Sequence, residues 1–141
     1  MKTYTAGFIF NEDLSRVVLA RKNRPDWQKG KLNGPGGKIE AGETSVECMV
    51  REILEETGFK TRENDWHYFA RIKGQDWWVD FYAQVYKGDA SAIRSLTDEE
   101  ISWFSTQPLP ENVIDYLNWF ITMGIDKLLN NNFMPCEVDY K

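Results

Sequence analysis

The amino-acid sequence predicts an α+β fold, an α/β/α sandwich in which a mixed β-sheet lies between helices. Several short segments alternate apolar and polar residues as strands do, and two longer segments carry the three- and four-residue apolar spacing of helices. These segments do not follow one another in the regular order of βαβ units. A length of 141 residues with 42% hydrophobic residues fits one domain, residues 1–141, with its own core.

The first elements predicted are two strands joined as a hairpin. Residues 4–10 and 17–20 alternate in polarity, and the polar residues 11–15 between them suit a turn. Residues 23–31 are polar and contain Pro25 and Gly30, so they predict a loop. Residues 32–39 then cross a glycine-dense turn, GPGG at 34–37, where the backbone can approach a ligand closely.

A helix is predicted directly after this turn, over residues 44–57. Thr44 and Glu47 have the spacing of a capping box, in which each side chain binds the other residue's free amide. Gly58 suits the end of the helix because glycine readily adopts the left-handed conformation found there.

The second half of the chain predicts further strands at residues 67–73, 77–86 and 101–104, the first two joined by a turn at 74–76. A final helix is predicted from an apolar repeat, with Pro110 in its first turn. The members of that repeat are Val113, Ile114, Leu117, Phe120, Ile121 and Leu128. Residues 130–141 carry no pattern that predicts an element.

Composition excludes some classes of function. A net charge of −5 and a pI near 4.9 argue against binding long nucleic acid through a broad basic face. Free nucleotides stay possible, because a metal ion can supply positive charge locally. Cys48 and Cys136 form no disulfide framework, no apolar run is long enough to span a membrane, and the first residues lack a signal-peptide layout. We therefore expect a soluble protein of the reducing cytoplasm that acts without a membrane.

The predicted helix at 44–57 has an apolar side formed by Val46, Val50, Ile53 and Thr57. Glu52, Glu55 and Glu56 share another side, with no Lys or Arg between them to reduce their mutual repulsion. A solvated acidic face is the ordinary explanation of such a pattern. Arg51 beside the cluster and the glycine turn before the helix favour a cation site instead, since clustered carboxylates bind Mg²⁺, which can hold phosphates and activate water.

Residues 37–59 resemble the Nudix box; they read GKIEAGETSVECMVREILEETGF. In that motif a Gly is followed after five residues by a Glu, and after seven more residues by the pattern REUxEExGU, where U is an aliphatic or aromatic residue. The matching residues are Gly37, Glu43, Arg51, Glu52, Ile53, Glu55, Glu56, Gly58 and Phe59. The resemblance implies the Nudix fold and hydrolysis of a nucleoside diphosphate linked to a further group. It also implies dependence on Mg²⁺ or Mn²⁺, with water attacking an internal phosphorus and no covalent enzyme intermediate.

The resemblance also implies roles for single residues. Glu52, Glu55 and Glu56 would be metal ligands together with the carbonyl of Gly36, and Glu52 would be the general base. Glu43 and Arg51 would support these carboxylates, and Lys38 would contact phosphate. Glu100, in the acidic run 98–100, is the predicted further metal ligand; a charged turn before a strand explains that run equally well.

Residues 32–38 look most similar to the MutT-like branch, which hydrolyses purine nucleoside triphosphates, including oxidised guanine nucleotides. In that branch Asn33 would contact the base, although a turn-stabilising Asn is an equal alternative. Glu111 and Asn112 are further candidates for base contacts, with helix capping as the alternative. Arg21 and Lys22 would contact phosphate or ribose.

Aromatic residues could form a wall that stacks on a base, although core packing explains most of them. They are Trp27, Trp77, Trp78, Phe81 and Tyr82. His67 is interpreted as an ordinary strand residue and Cys48 as a buried helix residue. The Pro and Tyr that mark Nudix enzymes acting on ADP-ribose and on dinucleoside polyphosphates are both absent near residues 74–76.

The sequence thus predicts a Mg²⁺- or Mn²⁺-dependent pyrophosphohydrolase. It would convert a nucleoside triphosphate, with a purine or oxidised purine base, to the monophosphate and pyrophosphate. Two alternatives stay open: hydrolysis of nucleotide sugars or dinucleoside polyphosphates, and a non-catalytic nucleotide sensor. The expected partner is a small nucleotide, and a homodimer is possible.

Overall fold

The computed structural model describes residues 1–140 and shows a mixed sheet with one long helix on each face. The strands are β1 (Lys2–Phe10), β2 (Arg16–Arg21), β3 (Leu32–Asn33), β4 (Gly36–Lys38), β5 (His67–Lys73), β6 (Trp77–Val85), β7 (Ile101–Ser105) and β8 (Cys136–Asp139). The helices are α1 (Ser45–Thr57) and α2 (Leu117–Leu129). The predicted α/β/α sandwich is therefore confirmed.

Strand β1 lies at the centre of the sheet. It runs parallel to β6 along its whole length, from Lys2 opposite Trp77 to Phe10 opposite Val85. On its other edge it pairs antiparallel with β2 and with β4, which places the glycine turn against the start of β1. Strands β3 and β7 both lie beside β2. On the other side of the sheet, β5 lies beside β6, and β8 lies at the edge, parallel to β5. Parallel and antiparallel pairs in one sheet confirm its mixed character.

Alternation along the strands divides the core into two layers. Phe8, Phe81 and Phe120 are fully buried on the α2 side of the sheet. Ile9 and Ile53 belong to the layer on the α1 side. Because both faces of the central strands are covered, their sequences are nearly continuous apolar runs.

Helix α1 begins and ends as its sequence predicts. The Thr44 hydroxyl accepts a hydrogen bond from the Glu47 amide, and the Glu47 carboxylate accepts one from the Thr44 amide. Gly58 ends the helix with a φ of 75°. These two caps fix where α1 starts relative to the glycine turn, and so where its glutamates lie.

The final helix starts later than predicted, at Leu117 rather than in the turn that contains Pro110. The reason is a competing set of backbone hydrogen bonds. The Leu32 amide donates to the Asn112 carbonyl, and the Ile114 amide donates to the Leu32 carbonyl, so residues 112–114 extend alongside β3. The apolar residues Val113 and Ile114 still face the core, but not from a helix.

Two further features of the described chain differ from the sequence-based prediction. Residues 136–139 form β8, at the sheet edge beside β5, where no element is predicted. The polar residues of this strand bind across the edge, with Lys73 contacting Glu137 at 3.2 Å. Residues 32–38 contain the short strands β3 and β4 as well as the predicted turn. No helix within residues 1–140 has the length and apolar character needed to cross a membrane.

Candidate active site

A cleft of about 720 Å³ opens where the glycine turn, α1 and the start of β1 meet. Its lining includes the charged side chains of Glu52, Glu56, Glu99 and Lys22. It also includes the aromatic residues Trp27, Trp77 and Tyr116. The cleft thus offers both charged and aromatic side chains to one ligand.

Glu52 faces the cleft because α1 packs directly on β4. A Cβ atom at Gly37 would overlap the Glu52 carboxyl group, so the absence of a side chain at this position makes room for that carboxyl group. Burial raises the pKa of Glu52 and outweighs the opposite effect of the hydrogen bond from Arg51. Glu52 is therefore a partly dehydrated base beside the glycine turn.

Glu56 lies one helical turn further along the same side of α1. Its Oε2 accepts a hydrogen bond from the Gly36 amide at 3.1 Å. Burial raises the pKa of Glu56 to about 8, the positive charge of Lys22 lowers it, and the negative charges of Glu52 and Glu99 raise it further. Glu56 is therefore a buried carboxyl group whose ionised form a bound cation would favour.

Arg51 connects the carboxylates around α1. Its Nε donates to Glu43 Oε2 at 2.6 Å, and its Nη1 donates to Glu52 Oε1 at 2.8 Å. Its Nη2 donates to the Lys38 carbonyl at 3.1 Å. The hydrogen bond from Arg51 lowers the pKa of Glu43 to about 2, so Glu43 stays ionised and anchors the guanidinium. Arg51 thereby holds the Glu52 carboxylate in one orientation.

Glu55 does not converge with Glu52 and Glu56. Its side chain is 57% exposed, at the rim of the cleft, and contacts Arg51 Nη1 at 3.4 Å. Within residues 1–140, no three Asp, Glu, His or Cys side chains already lie close enough to enclose a metal ion. The side chains of Glu52 and Glu56 that do reach the cleft offer carboxyl oxygens, which are the ligands that Mg²⁺ and Mn²⁺ prefer.

Of the acidic run at 98–100, the structure places Glu99 in the cleft and not Glu100, the residue predicted as a metal ligand. Glu100 is exposed and does not line the cleft, because β7 begins immediately after it and its backbone carbonyl binds the Arg21 amide. Glu99 instead points inward with an exposed fraction of 6% and pairs with Lys22 at 3.0 Å. The sequence signal, three acidic residues in a row, could not distinguish between them.

Three of the six predicted substrate-binding residues line the cleft: Lys22, Asn33 and Lys38. Asn33 is 8% exposed, and its Oδ1 accepts a hydrogen bond from the Gly34 amide at 2.8 Å. The turn-stabilising interpretation of Asn33 is thus satisfied in the structure, while its position in the cleft also permits a ligand contact.

The other three predicted substrate-binding residues, Arg21, Glu111 and Asn112, lie outside the cleft. Arg21 Nη1 and Asn112 Nδ2 both donate to the Gly30 carbonyl, at 3.3 Å and 3.2 Å. These two side chains close the base of the loop before β3. Glu111 is exposed and does not line the cleft.

The aromatic candidates also divide. Trp27 and Trp77 line the cleft, and Trp27 is 60% exposed. Phe81 and Tyr82 belong to the two core layers, and Trp78 stacks under the Arg71 guanidinium at 3.8 Å from the ring centre. Tyr116 also lines the cleft. The sequence does not single it out, because in the sequence it is only one residue of a predicted helix.

His67 is an exposed residue of β5, and Cys48 is a fully buried residue of α1, as the sequence predicts. The Cys48 thiol lies 3.4 Å from the Lys38 carbonyl, and burial raises its pKa to about 11. A thiol that stays protonated is not a nucleophile. Cys48 therefore serves packing rather than chemistry.

Comparison with known proteins identifies the class. The NUDIX domain model matches residues 1–120, and the chain belongs to the Nudix family and is a Nudix hydrolase. It is 33% identical over 111 residues to a Bacillus subtilis protein named provisionally as an 8-oxo-dGTP diphosphatase, covering 76% of this chain and 70% of that protein.

Two further similarities agree with this assignment. The chain is 32% identical over 117 residues to the oxidized purine nucleoside triphosphate hydrolase of Danio rerio, covering 77% of this chain and 71% of that protein. A solved MutT structure, from a study of the Aliivibrio salmonicida and Vibrio cholerae enzymes, superposes with a TM-score of 0.72 at 26% identity. That match covers 89% of this chain and 98% of the other.

Proposed function

We propose that this Nudix hydrolase is a nucleoside triphosphate pyrophosphohydrolase that acts on a purine or oxidised purine nucleotide. The observation that carries the proposal is the pair of inward-facing carboxylates, Glu52 and Glu56, in a cleft that is also lined by aromatic residues. A nucleotide needs both kinds of group, since its phosphates bind metal held by carboxylates and its base stacks on aromatic rings. The names of the relatives from Bacillus subtilis and Danio rerio support this choice of substrate.

Nudix hydrolases generally use divalent metal cations, and the carboxylates of this cleft fit one. Glu52, Glu56 and the Gly36 carbonyl would hold the ion, and Glu55, which is exposed at the rim, would have to turn inward to join them. Bound Mg²⁺ or Mn²⁺ would neutralise phosphate charge and lower the pKa of the attacking water.

The protein's own groups position the reactants. Glu52 takes a proton from the attacking water. The oxygen of that water forms a bond to an internal phosphorus, and the pyrophosphate leaves with the electrons of the broken P–O bond. Arg51 keeps Glu52 oriented throughout this step. Lys22 and Lys38 place positive charge where the phosphate chain would lie, and the raised pKa of Glu52 makes it a stronger base than an exposed carboxylate.

The aromatic residues that line the cleft would supply affinity for the base. Trp27 and Trp77 present ring surfaces on which a purine can stack, an interaction worth about 1–3 kcal/mol per base. Asn33 and Tyr116 place polar groups beside the same space. Both cysteines are free, in agreement with the reducing cytoplasm that we propose as the compartment.

The test is a steady-state assay with Mg²⁺ or Mn²⁺ on dGTP, 8-oxo-dGTP, ATP, ADP-ribose and diadenosine tetraphosphate, with products separated by ion exchange. We expect monophosphate and pyrophosphate from the purine triphosphates. Glu52→Gln should lower kcat by about 100-fold or more, because it removes the proton acceptor. Glu12→Gln, on the exposed turn after β1, is the matched control.

Unchanged kcat in Glu52→Gln would reject Glu52 as the base. Preferential cleavage of ADP-ribose or diadenosine tetraphosphate would replace the proposed substrate. Tight nucleotide binding without any product would identify a sensor.

A further inference from the structure

The loop of residues 22–31, called here the Trp27 loop, forms one wall of the cleft. Its base is closed by backbone hydrogen bonds between Lys22 and both Gly30 and Lys31, each 2.8 Å long. Within the described residues 1–140, the hydrogen bonds of residues 25–29 stay inside the loop, for example from the Gln28 amide to the Pro25 carbonyl. Trp27 itself is mostly exposed. Arg21 and Asn112 hold the end of the loop at the Gly30 carbonyl, so the start of the loop needs a contact of its own to stay at the cleft.

That contact comes from Asp98 and Glu99. The two oxygens of Glu99 accept separate hydrogen bonds, Oε1 from Lys22 Nζ at 3.0 Å and Oε2 from the Asn23 amide at 2.8 Å. The Asn23 side chain donates to the Asp98 carbonyl at 2.9 Å, and Arg24 Nη2 donates to the Asp98 carboxylate at 3.0 Å. These four bonds join three consecutive loop residues to two consecutive residues before β7.

The two interactions of Glu99 are the strong part of this set. Glu99 is buried, and its side chain and that of Lys22 are only 8% and 17% exposed, so water competes weakly for either group. The Arg24–Asp98 pair is 71% and 63% exposed and contributes little by comparison. Removing the Glu99 carboxylate would leave the Asn23 amide and the Lys22 ammonium without their acceptor.

We propose that Glu99 is a positioning residue, which fixes the Trp27 loop so that the indole of Trp27 stays in the wall of the cleft. Its effect on nucleotide affinity rests on the proposed function, whereas its effect on the loop does not. Glu99 and Trp27 both line the cleft, so this residue holds the loop from within the site itself.

Limited proteolysis tests the position of the loop without any catalytic readout. Trypsin can cut after the exposed Lys29, and loop opening controls the rate of that cut. We expect Glu99→Ala to speed cleavage after Lys29 by about tenfold or more, because two charge-assisted hydrogen bonds are lost. Glu99→Gln keeps an acceptor for the Asn23 amide and should stay within about threefold of the wild type.

Glu100→Ala is the matched control, since its exposed neighbouring carboxylate takes no part in the four bonds, and its cleavage rate should equal that of the wild type. If the Ala and Gln variants of Glu99 were cleaved equally fast, or neither were accelerated, the proposal would be overturned. Should Glu99→Ala fail to fold, Lys22→Met removes one of the two Glu99 bonds and leaves the carboxylate in place. An unchanged rate of cleavage after Lys29 in Lys22→Met would equally overturn the proposal.

A double-mutant cycle then tests whether Glu99 acts through Trp27. Calorimetric titration with dGMP in EDTA should show the Kd raised about fivefold or more by Trp27→Ala and by Glu99→Ala. The double variant should bind no more weakly than Trp27→Ala alone, because the loop position matters only through its indole. Additive losses would show that Glu99 contacts the nucleotide directly and would refute the positioning role. Absence of dGMP binding by the wild type would count against the proposed function, and the proteolysis result would still decide the loop.

Discussion

Glu56 should make the metal-free protein less stable as the pH rises from 4.5 to about 8. The folded protein holds this carboxyl protonated up to its raised pKa, while the unfolded chain releases the proton near 4.5. Between the two values the folded state binds more protons, so the free energy of unfolding falls with rising pH. The contribution is complete below 4.5 and is lost once the pH passes about 8.

The size of this effect follows from the two pKa values. A rise from 4.5 to about 8 corresponds to about 5 kcal/mol at most, taking about 1.36 kcal/mol for each pH unit. Water that reaches the open side of the cleft reduces this, so we expect a loss of about 2–4 kcal/mol. Glu52 adds to the loss in the same direction, because burial also raises its pKa.

Urea unfolding in EDTA at half-unit steps from pH 5 to pH 8.5 measures the effect. Glu56→Gln, which resembles the protonated side chain, should remove at least half of the pH dependence and be more stable than the wild type at pH 8. Glu12→Gln should keep the wild-type slope. A wild-type protein equally stable at pH 5 and pH 8, or a Glu56→Gln variant with the full slope, would refute the reasoning.

Addition of Mg²⁺ extends this test. Metal must displace the proton from Glu56, so millimolar Mg²⁺ should raise the stability more at pH 8 than at pH 5. Glu56→Gln should lose most of this response. Equal stabilisation at both pH values would argue that the cation binds away from Glu56.

Two further substitutions test the glycine turn and the Arg51 contacts. Gly37→Ala should lower kcat by about tenfold or more, because the new methyl group displaces the Glu52 carboxyl group. Its control is Gly124→Ala in α2, where the methyl group makes ordinary contacts with Phe69; this should keep activity and stabilise by about 0.5–1 kcal/mol. An active Gly37→Ala enzyme would show that Glu52 does not need its observed position. Arg51→Met should raise the pKa of Glu52 and so move the acid limb of the kcat/KM profile to higher pH. Arg51→Lys should not restore the wild-type profile, since a lysine ammonium lacks the forked guanidinium that binds Glu43 and Glu52 together. An acid limb at the same pH in Arg51→Met would contradict this role.

The fold could be predicted where short-range geometry dominates. The alternation of β1 and β2 and the capping box of α1 correspond to observed elements because each depends on neighbouring residues. The start of α2 could not be predicted, because residues 112–114 bind β3 instead of continuing a helix. Strand β8 exists through its pairing with the distant β5, and its own residues carry no strand pattern.

The candidate site divides in the same way. Glu52 and Glu56 are four residues apart, so they lie on one side of α1 wherever the helix begins. This part of the site could be predicted from the sequence. The exposure of Glu55, the choice of Glu99 over Glu100 and the inclusion of Tyr116 depend on contacts between remote segments. Arg21 and Asn112 look like ligand-binding residues in the sequence, yet both bind the Gly30 carbonyl.

The sequence alone determined the family, the glutamate-bearing helix and the glycine turn beside it, because these features depend on fixed spacing along a short stretch of backbone. Only the tertiary structure decided how deeply Glu56 is buried, which acidic residue accepts hydrogen bonds from the Trp27 loop, and which aromatic rings line the cleft. Those properties depend on the dehydration and proximity of groups that come from separate strands and loops. Such distances are set when the sheet and its two helices pack together, and no local pattern encodes them.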